Sequence, residues 1–177
     1  DLDRKVLGNG FPALNYGITV GATYKDWDFS MAMNGVLGQE IMSYSAMRLS
    51  NMFASDDQTT VNVLKESYNA AFRDGKGTLP RLSLLDLNAN RRVSDAWVKD
   101  GDFFRISNLQ DGYTLPREIA NKLSIQKARV YVGVQNLLLL SGYKKYGDPE
   151  VGQGSVLYTG LDTGRYPMPR TFMAGLN

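Results

Sequence analysis

The chain has 177 residues, of which 43% are hydrophobic and 21% are charged, and its formal net charge is +2. So small a charge, with basic residues scattered along the chain rather than gathered with aromatic residues on one face, argues against a nucleic-acid partner. The absence of cysteine and histidine excludes disulfides, thiolate nucleophiles, cysteine-based zinc sites and histidine general bases. No apolar run approaches the roughly 20 residues of a transmembrane helix, so we expect a soluble protein or a segment whose export signal lies elsewhere.

The clearest periodic signal lies at residues 14–24, where apolar and polar side chains alternate without a break. This period of two predicts a strand with one apolar face. The run exceeds the about 5 or 6 residues of an ordinary strand and matches the about 9 to 11 of a strand that crosses a bilayer. Residues 27–38 alternate again after Lys25-Asp26, which predicts a hairpin. Tyr24 and Trp27 flank the turn and suit the aromatic girdle of a membrane barrel or the core edge of a soluble sandwich.

Alternation stops after Gly38, and the irregular stretch at residues 39–100 contains one predicted helix, at 59–72. Strand character returns at 103–115, with a slip near Asn108 that indicates a bulge or a change of register. A short connector with one helical turn predicted at 118–122 leads to a further strand. The two remaining predicted strands, residues 129–140 and 169–177, are separated by a second long loop at 141–168.

The connections alternate between short and long along the chain. Such an alternation places the long loops at one end of an up-and-down sheet and the short turns at the other. Outer-membrane barrels have this asymmetry, with short periplasmic turns and long extracellular loops. Because the smallest bacterial barrels need about 8 strands, the remaining strands must come from a longer chain or from other subunits.

Four stretches resemble SusC/RagA-type TonB-dependent transporters of Bacteroidetes-like bacteria. The run WVKDGDFFRISNL at residues 97–109, followed by GYTLP at 112–116, is similar to the signature near the C-terminus of that family. RVYV and QNL within residues 129–137 resemble its penultimate strand, YPMPRTF at 166–172 its final strand, and YKDWDFS at 24–30 its tight hairpin. The loop at 39–92 matches in position more than in sequence.

Three positions depart from the family pattern. Asp111 stands where an apolar residue usually precedes Gly-Tyr-Thr, and Ala174 replaces a frequent aromatic residue. The sequence stops at Asn177, before the expected terminal aromatic residue, which predicts a short tail beyond it. Because a lipid-facing carboxylate is costly, we expect Asp111 either to be turned inward by the bulge near Asn108 or to lie at the polar interface of the membrane.

The resemblance implies an all-β fold, an antiparallel up-and-down transmembrane barrel of about 22 strands. Residues 1–177 would supply about the last five of these strands, as the C-terminal part of one receptor barrel domain, while the plug lies outside them. The implied function is barrel wall of an outer-membrane importer that takes up oligosaccharides or oligopeptides. Its implied partners are a SusD-like surface lipoprotein, TonB acting through the plug, and outer-membrane lipid; no cofactor and no enzymatic activity are implied.

Ligand contacts are expected in the second long loop, because aromatic rings stack on sugars and carboxylates accept hydrogen bonds from hydroxyl groups. The candidates are Tyr143, Tyr146, Asp148, Glu150 and Tyr158. For each, the alternative is packing against neighbouring loop segments or contact with the partner lipoprotein.

Four other charged residues are considered beside these. Arg105 and Arg129 face inward by alternation, and pairing with a neighbouring carboxylate is favoured over lining the lumen. Two carboxylate pairs, Asp148 with Glu150 and Asp56 with Asp57, fall short of the about 6 to 8 oxygens of a calcium site, so no metal is predicted.

Two other classes of function compete with import. An enzyme would use Asp148 and Glu150 as the acid and base of a glycosidase, for which the sequence offers no further support. A soluble or surface-exposed β-sandwich for binding or adhesion is the stronger alternative, because alternation alone does not distinguish a core-facing side from a lipid-facing one.

Overall fold

The computed structural model describes residues 4–50, 63, 66–67, 78–80, 89–122, 124–151 and 156–177. Five strands form the main sheet and differ from the alternating runs of the sequence by no more than about two residues at either end. They are β1 (Leu14–Tyr24), β2 (Trp27–Leu37), β5 (Phe103–Thr114), β6 (Arg129–Ser141) and β8 (Thr171–Leu176). All neighbours are antiparallel, in the order β1-β2-β5-β6-β8, so the predicted up-and-down order is confirmed.

The connections fall at two ends of this sheet. A two-residue turn at Lys25 and Asp26 joins β1 to β2, and α2 (Arg117–Lys122) lies in the connector between β5 and β6, where one helical turn is predicted. Lys25 adopts a positive φ of 54°, as tight hairpin turns require. The long connections, from β2 to β5 and from β6 to β8, lie together at the opposite end.

The register places the apolar side chains of all five strands on one face, which we call the apolar face. Opposed residues of antiparallel strands share a face, and Ala22 opposes Phe29 while Val132 opposes Ala174. Many large side chains of this face are between 38% and 71% exposed: Leu14, Ile18, Val20, Tyr24, Trp27, Leu37, Val130, Val132, Leu138, Leu140, Phe172 and Leu176. Among the described residues, no second sheet packs on these side chains, whereas a β-sandwich would bury them between two sheets.

The opposite side, which we call the polar face, carries Asn15, Asn34, Asp28, Arg105, Arg129 and Gln135, among others. The predicted bulge is confirmed, since the register of β5 shifts between Ile106 and Asn108 against both neighbours. This shift does not turn Asp111 inward: Asp111 opposes Phe29 and Val132 on the apolar face. The first of the two alternatives for Asp111 is therefore wrong. The carboxylate lies near the short-turn end, because the pair of Asp111 with Phe29 is two residue pairs from that of Trp27 with Tyr113. The rings of Trp27 and Tyr113 are 4.8 Å apart.

The two long loops contain structure that alternation does not reveal. The first begins with β3 (Glu40–Ser43) and α1 (Tyr44–Leu49) and ends with β4 (Val98–Asp100). Strand β3 pairs antiparallel with β4 and parallel with β7 (Leu161–Asp162) of the second loop. Short runs of two to four residues are too brief to show a period, which is why the sequence predicts irregular loops here.

Most of the predicted helix at 59–72 lies outside the described residues. Within it, Ser67 N donates to Val63 O at 2.9 Å, the bond of one helical turn. No helix in the described part of the chain is both long and apolar enough to cross a membrane.

Most of the buried residues lie at the long-loop end and not in the middle of the sheet. Ile41, Trp97 and Tyr143 are each at most 2% exposed. Trp97 Nε1 donates to the carbonyl of Asn90 at 3.1 Å, and Met42 N donates to Gly160 O at 2.7 Å. We call this packed unit the loop cap; it comprises residues 38–49, 89–102, 142–151 and 156–168. Its two loops pack on each other and on the end of the sheet.

Candidate functional site

A buried ion pair joins the polar face to the second loop. Arg105 extends from β5, and its Nη2 lies 2.5 Å from Asp148 Oδ1, with the two side chains 3% and 4% exposed. Asp148 Oδ1 also accepts the backbone N–H of Glu150 at 3.0 Å. The prediction that Arg105 pairs with a carboxylate is confirmed, and the carboxylate is one of the candidate ligand residues.

A bulge residue completes the surroundings of Arg105. Asn136 has a positive φ of 52°, and its Oδ1 accepts a hydrogen bond from Arg105 Nη1 at 3.3 Å. Its Nδ2 donates to Pro169 O at 2.9 Å, which ties the segment before β8 to β6. Arg105 Nε has no hydrogen-bond partner among the described residues. Sequence reasoning missed Asn136, although an asparagine among apolar strand residues is one of the few side chains that tolerate a positive φ.

Glu150 lies beside this pair with a carboxylate that is only partly satisfied. Its Oε2 is 3.6 Å from Arg105 Nη2, and its side chain is 43% exposed. The charge of Arg105 is already balanced by Asp148 at the shorter distance. Arg165 donates to the backbone carbonyl of Glu150, which fixes the chain there without adding an ion pair to the carboxylate.

Tyr143 lies in the interior of the loop cap. It is fully buried, and its Oη donates to Asp162 Oδ2 at 2.6 Å. Burial, and next the hydrogen bond to Asp162, raise the pKa of Tyr143 well above its usual value of 10.0. Asp162 also accepts Gly164 N at 2.8 Å, an Asx turn for which the Asp-Thr-Gly run is the sequence signal.

The other two aromatic candidates differ in exposure. Tyr146 is half-buried, its ring is 5.6 Å from that of Tyr143, and Lys145 Nζ lies 4.9 Å from its centroid. Tyr158 ends a short 3₁₀ helix and is 48% exposed. Tyr143 and Asp148 thus have structural partners in the loop cap, while Tyr146, Glu150 and Tyr158 keep accessible surface. Ligand contact by any of the five stays a prediction.

A second ion pair lies on the polar face at the short-turn end. Arg129 Nε and Nη2 reach the two carboxylate oxygens of Asp28 at 2.8 and 2.5 Å. The guanidinium passes over Gly112, where an added Cβ would lie 2.3 Å from Nη2. The predicted pairing of Arg129 is confirmed, and the bidentate pair links β6 to β2 across β5.

An open cavity of about 450 Å³ separates the polar face from the second loop. Asn15 and Asn34 belong to the sheet wall of this cavity, Glu150 and Thr159 to the loop wall, and Gln39 and Phe103 also line it. No three potential metal ligands converge within the described part of the chain, and Asp56 and Asp57 lie outside it.

Comparison with known proteins identifies relatives that match nearly the whole chain. TonB-dependent receptor P3 of Formosa agariphila is 32% identical over 99% of this chain and 17% of its own length. The TonB-dependent receptor SusC of Bacteroides thetaiotaomicron is 27% identical over 91% of this chain and 14% of its own. The chain is homologous to part of the TonB-dependent receptors. It therefore spans about a sixth of the length of the curated receptors it matches. No protein-family model matches it.

Solved structures of a peptide importer have the same fold. The RagAB peptide importer in its closed-closed state matches with a TM-score of 0.71 and 21% identity, over 97% of this chain and 18% of the other. Its open-open state matches with a TM-score of 0.68 and 22% identity. The resemblance to SusC/RagA-type receptors is thereby confirmed. This likeness of fold contradicts the β-sandwich alternative. The relatives named here are receptors and an importer, and none of their names indicates a glycosidase.

Proposed function

We propose that this chain is barrel wall and loop cap of a TonB-dependent outer-membrane importer. In this proposal residues 1–177 form the C-terminal part of one large barrel, and β1 and β8 continue into strands outside these residues. The plug and the segment that contacts TonB also lie outside them. Import then requires binding and gating, and no bond of the substrate is broken.

The observation that carries this proposal is the apolar face. Side chains such as Val132, Leu140 and Phe172 are 55%, 56% and 71% exposed on one continuous side of the sheet. Monomeric soluble proteins rarely expose so large an apolar surface, whereas a bilayer stabilises it because no water contacts the hydrocarbon-facing side chains. The exposed aromatic residues Tyr24 and Trp27 at the short-turn end suit the girdle at one membrane interface.

The proposed substrate and partner are based on what the relatives import and on the exposed residues of the loop cap. RagAB is a peptide importer, and we propose an oligopeptide or an oligosaccharide as the imported molecule here. We further propose that a SusD-like lipoprotein contacts the loop cap, whose exposed tip at Val156 and Leu157 is 72% and 91% exposed. Apolar side chains at such a tip favour a protein partner.

The test uses the full-length receptor in its native bacterium. Cells that lack the receptor should lose growth on a defined peptide or oligosaccharide source, cells that lack TonB should lose the same growth, and the full-length gene should restore it. The receptor should be recovered with the outer-membrane fraction and should co-purify with a surface lipoprotein. Recovery in the soluble fraction, or growth that is independent of the receptor on every such source, would refute import.

A further inference from the structure

The open cavity between the polar face and the second loop is built from hydrogen-bonding groups. Asn34 lies on β2 directly opposite Arg105 of β5, so their Cβ atoms share one face about 4.5–5.5 Å apart. Arg105 in turn holds Asp148 and, at 3.6 Å, the Glu150 carboxylate. Asn34 and Glu150 both line the cavity, and the ion pair of Arg105 with Asp148 fixes the loop segment that carries Glu150.

The charge of this cavity is negative. Glu150 is the one charged side chain among the described residues that line it. Arg105 balances little of the charge of Glu150, from which it is 3.6 Å away. Its guanidinium already pairs with Asp148 at 2.5 Å, where the two side chains are 3% and 4% exposed. A carboxylate that is 43% exposed beside such a neutralised pair retains acceptor capacity towards the cavity.

The opposite wall adds acceptors without partners. The side-chain amides of Asn15 and Asn34 make no hydrogen bond to any described residue, and both line the cavity. Of the two aromatic residues in the lining, Phe103 is 5% exposed, and the hydroxyl of Tyr16 donates to Phe103 O at 3.2 Å. The side-chain oxygens of Asn15, Asn34 and Glu150 belong to residues that line one cavity.

We propose that this cavity is a subsite for a primary ammonium group of the imported molecule, bound by the Glu150 carboxylate and by the amide oxygens of Asn15 and Asn34. An ammonium presents three donors and no acceptor, which matches one carboxylate and two amide oxygens. A volume of about 450 Å³ lies within the about 300–1,000 Å³ of ligand pockets. The proposal rests on the proposed import function and names the chemistry that the importer selects.

A primary ammonium could come from a peptide amino terminus or from an amino sugar, and two pairs of probes separate these sources. The first pair is tri-alanine amide and its N-acetylated form; the second is a glucosamine trisaccharide and its fully N-acetylated form. Binding to the purified full-length receptor is measured by calorimetry at pH 6, below the about 7.7–8.0 pKa of an α-amino group. We expect the free amine of one pair to bind about tenfold more tightly than its acetylated partner, because acetylation removes the positive charge and the charge-assisted hydrogen bonds to Glu150.

Three variants locate the preference at the cavity. Glu150→Gln should reduce the preference for the free amine to less than about threefold, because the shape is kept and the charge removed. Asn15→Asp, at an exposed position of the same wall, should increase it. Asp95→Asn, a matched loss of charge at a loop carboxylate that is 75% exposed and does not line the cavity, should leave it unchanged.

The outcomes separate this subsite from import itself. Equal affinity for free and acetylated probes, no measurable binding of any free amine, or a preference that survives Glu150→Gln would overturn the ammonium subsite. If Glu150→Gln yields no folded receptor, Asn15→Asp decides, and an unchanged preference then overturns the proposal. Receptor-dependent and TonB-dependent growth that persists in these cases would leave import standing, whereas its absence refutes import whatever the probes do.

Discussion

The ion pair between Arg105 and Asp148 is the residue-scale connection on which the second loop depends. We expect Asp148→Ala to favour local opening of this loop by about 3 kcal/mol, because the buried charge of Arg105 then keeps only the longer 3.6 Å contact with Glu150 among the described carboxylates. Protease cleavage of the folded receptor within residues 142–168 measures this opening. The double variant Arg105→Met/Asp148→Ala should lose less than the two single variants together.

An exposed ion pair provides the control for that experiment. Lys5 and Asp95 are 3.5 Å apart, but their side chains are 68% and 75% exposed, so Lys5→Met should change loop opening by less than about 1 kcal/mol. Unchanged cleavage of Asp148→Ala relative to the parent receptor would show that the loop is held by its other contacts, such as the bond from Asn136 to Pro169.

Gly35 supports a close approach between neighbouring strands. A Cβ at this position would lie 2.2 Å from the carbonyl oxygen of Phe103 and 2.4 Å from Tyr16 Oη. Strand β5 is paired with β2 on one side and β6 on the other, so its backbone cannot move away without breaking hydrogen bonds. We therefore expect Gly35→Ala to lower the free energy of unfolding by about 1–3 kcal/mol. The midpoint of thermal unfolding in detergent measures the change.

A glycine on the adjacent strand is the matched control. At Gly17 the nearest atom to an added Cβ is Met33 O at 3.9 Å, so Gly17→Ala should stay within about 0.5 kcal/mol of the parent. Equal midpoints for the two variants would contradict the steric reading of Gly35.

At the scale of elements, strand position followed from the sequence, whereas loop structure did not. The alternation at residues 14–24 and 129–140 fixes which side chains share a face, and the slip near Asn108 marks the bulge that the register confirms. Strands β3 and β7 are too short to carry a period. Their pairing, Met42 with Leu161, joins segments far apart in the chain, which no local pattern encodes.

The candidate site divides in the same way. Charge and alternation predict that Arg105 and Arg129 pair with carboxylates. They do not predict which ones, because Asp148 is placed by the path of the second loop and Asp28 by the register of the strands. Burial was not predictable for Tyr143, because a loop tyrosine is usually placed at the surface. In this fold two loops pack over Tyr143, and Asp162 accepts a hydrogen bond from its hydroxyl.

The packing of Tyr143 against Asp162 makes the loop cap sensitive to alkaline pH. Its pKa is raised in the folded state, chiefly by burial and next by the bond to Asp162, so above the unfolded pKa of about 10 the unfolded segment releases a proton that the folded one retains. The stabilising contribution is complete below pH 10 and declines as pH rises further. We expect protease sensitivity of the second loop to increase above about pH 10.

Tyr143→Phe isolates this group from other alkaline titrations. The variant should be less stable at neutral pH by about 1–3 kcal/mol, because Asp162 loses a partner in a buried site, yet its sensitivity should rise less between pH 10 and higher pH. Tyr158→Phe, at a side chain 48% exposed, should follow the parent profile. A parent profile that is flat above pH 10 would contradict the coupling.

At the scale of the whole molecule, the sheet has two chemically different faces. Its polar face carries ion pairs and amides, and its apolar face carries exposed aliphatic and aromatic residues on β1, β2, β6 and β8. Composition averages these two faces and therefore resembles that of a soluble protein. In the proposed barrel the sheet obtains its apolar environment from the bilayer, while the loops must supply their own core, which accounts for the buried residues of the loop cap.

Contact of the apolar face with lipid predicts that arginine destabilises one position of β6 and is tolerated at another position on the polar face. Val134 lies near the middle of β6 on the apolar face, opposite Leu109 and Phe172. Val134→Arg should lower the free energy of unfolding of the full-length receptor in lipid vesicles by about 2–4 kcal/mol, because the charge enters hydrocarbon. Gln135 points to the polar face, where it pairs with Asn108, and Gln135→Arg should stay within about 0.5 kcal/mol. Denaturant unfolding of the vesicle-bound receptor, followed by tryptophan fluorescence, compares the two. Equal tolerance of both arginines would refute lipid contact of the apolar face, because an arginine in hydrocarbon is costly whereas one on a solvated polar face is not.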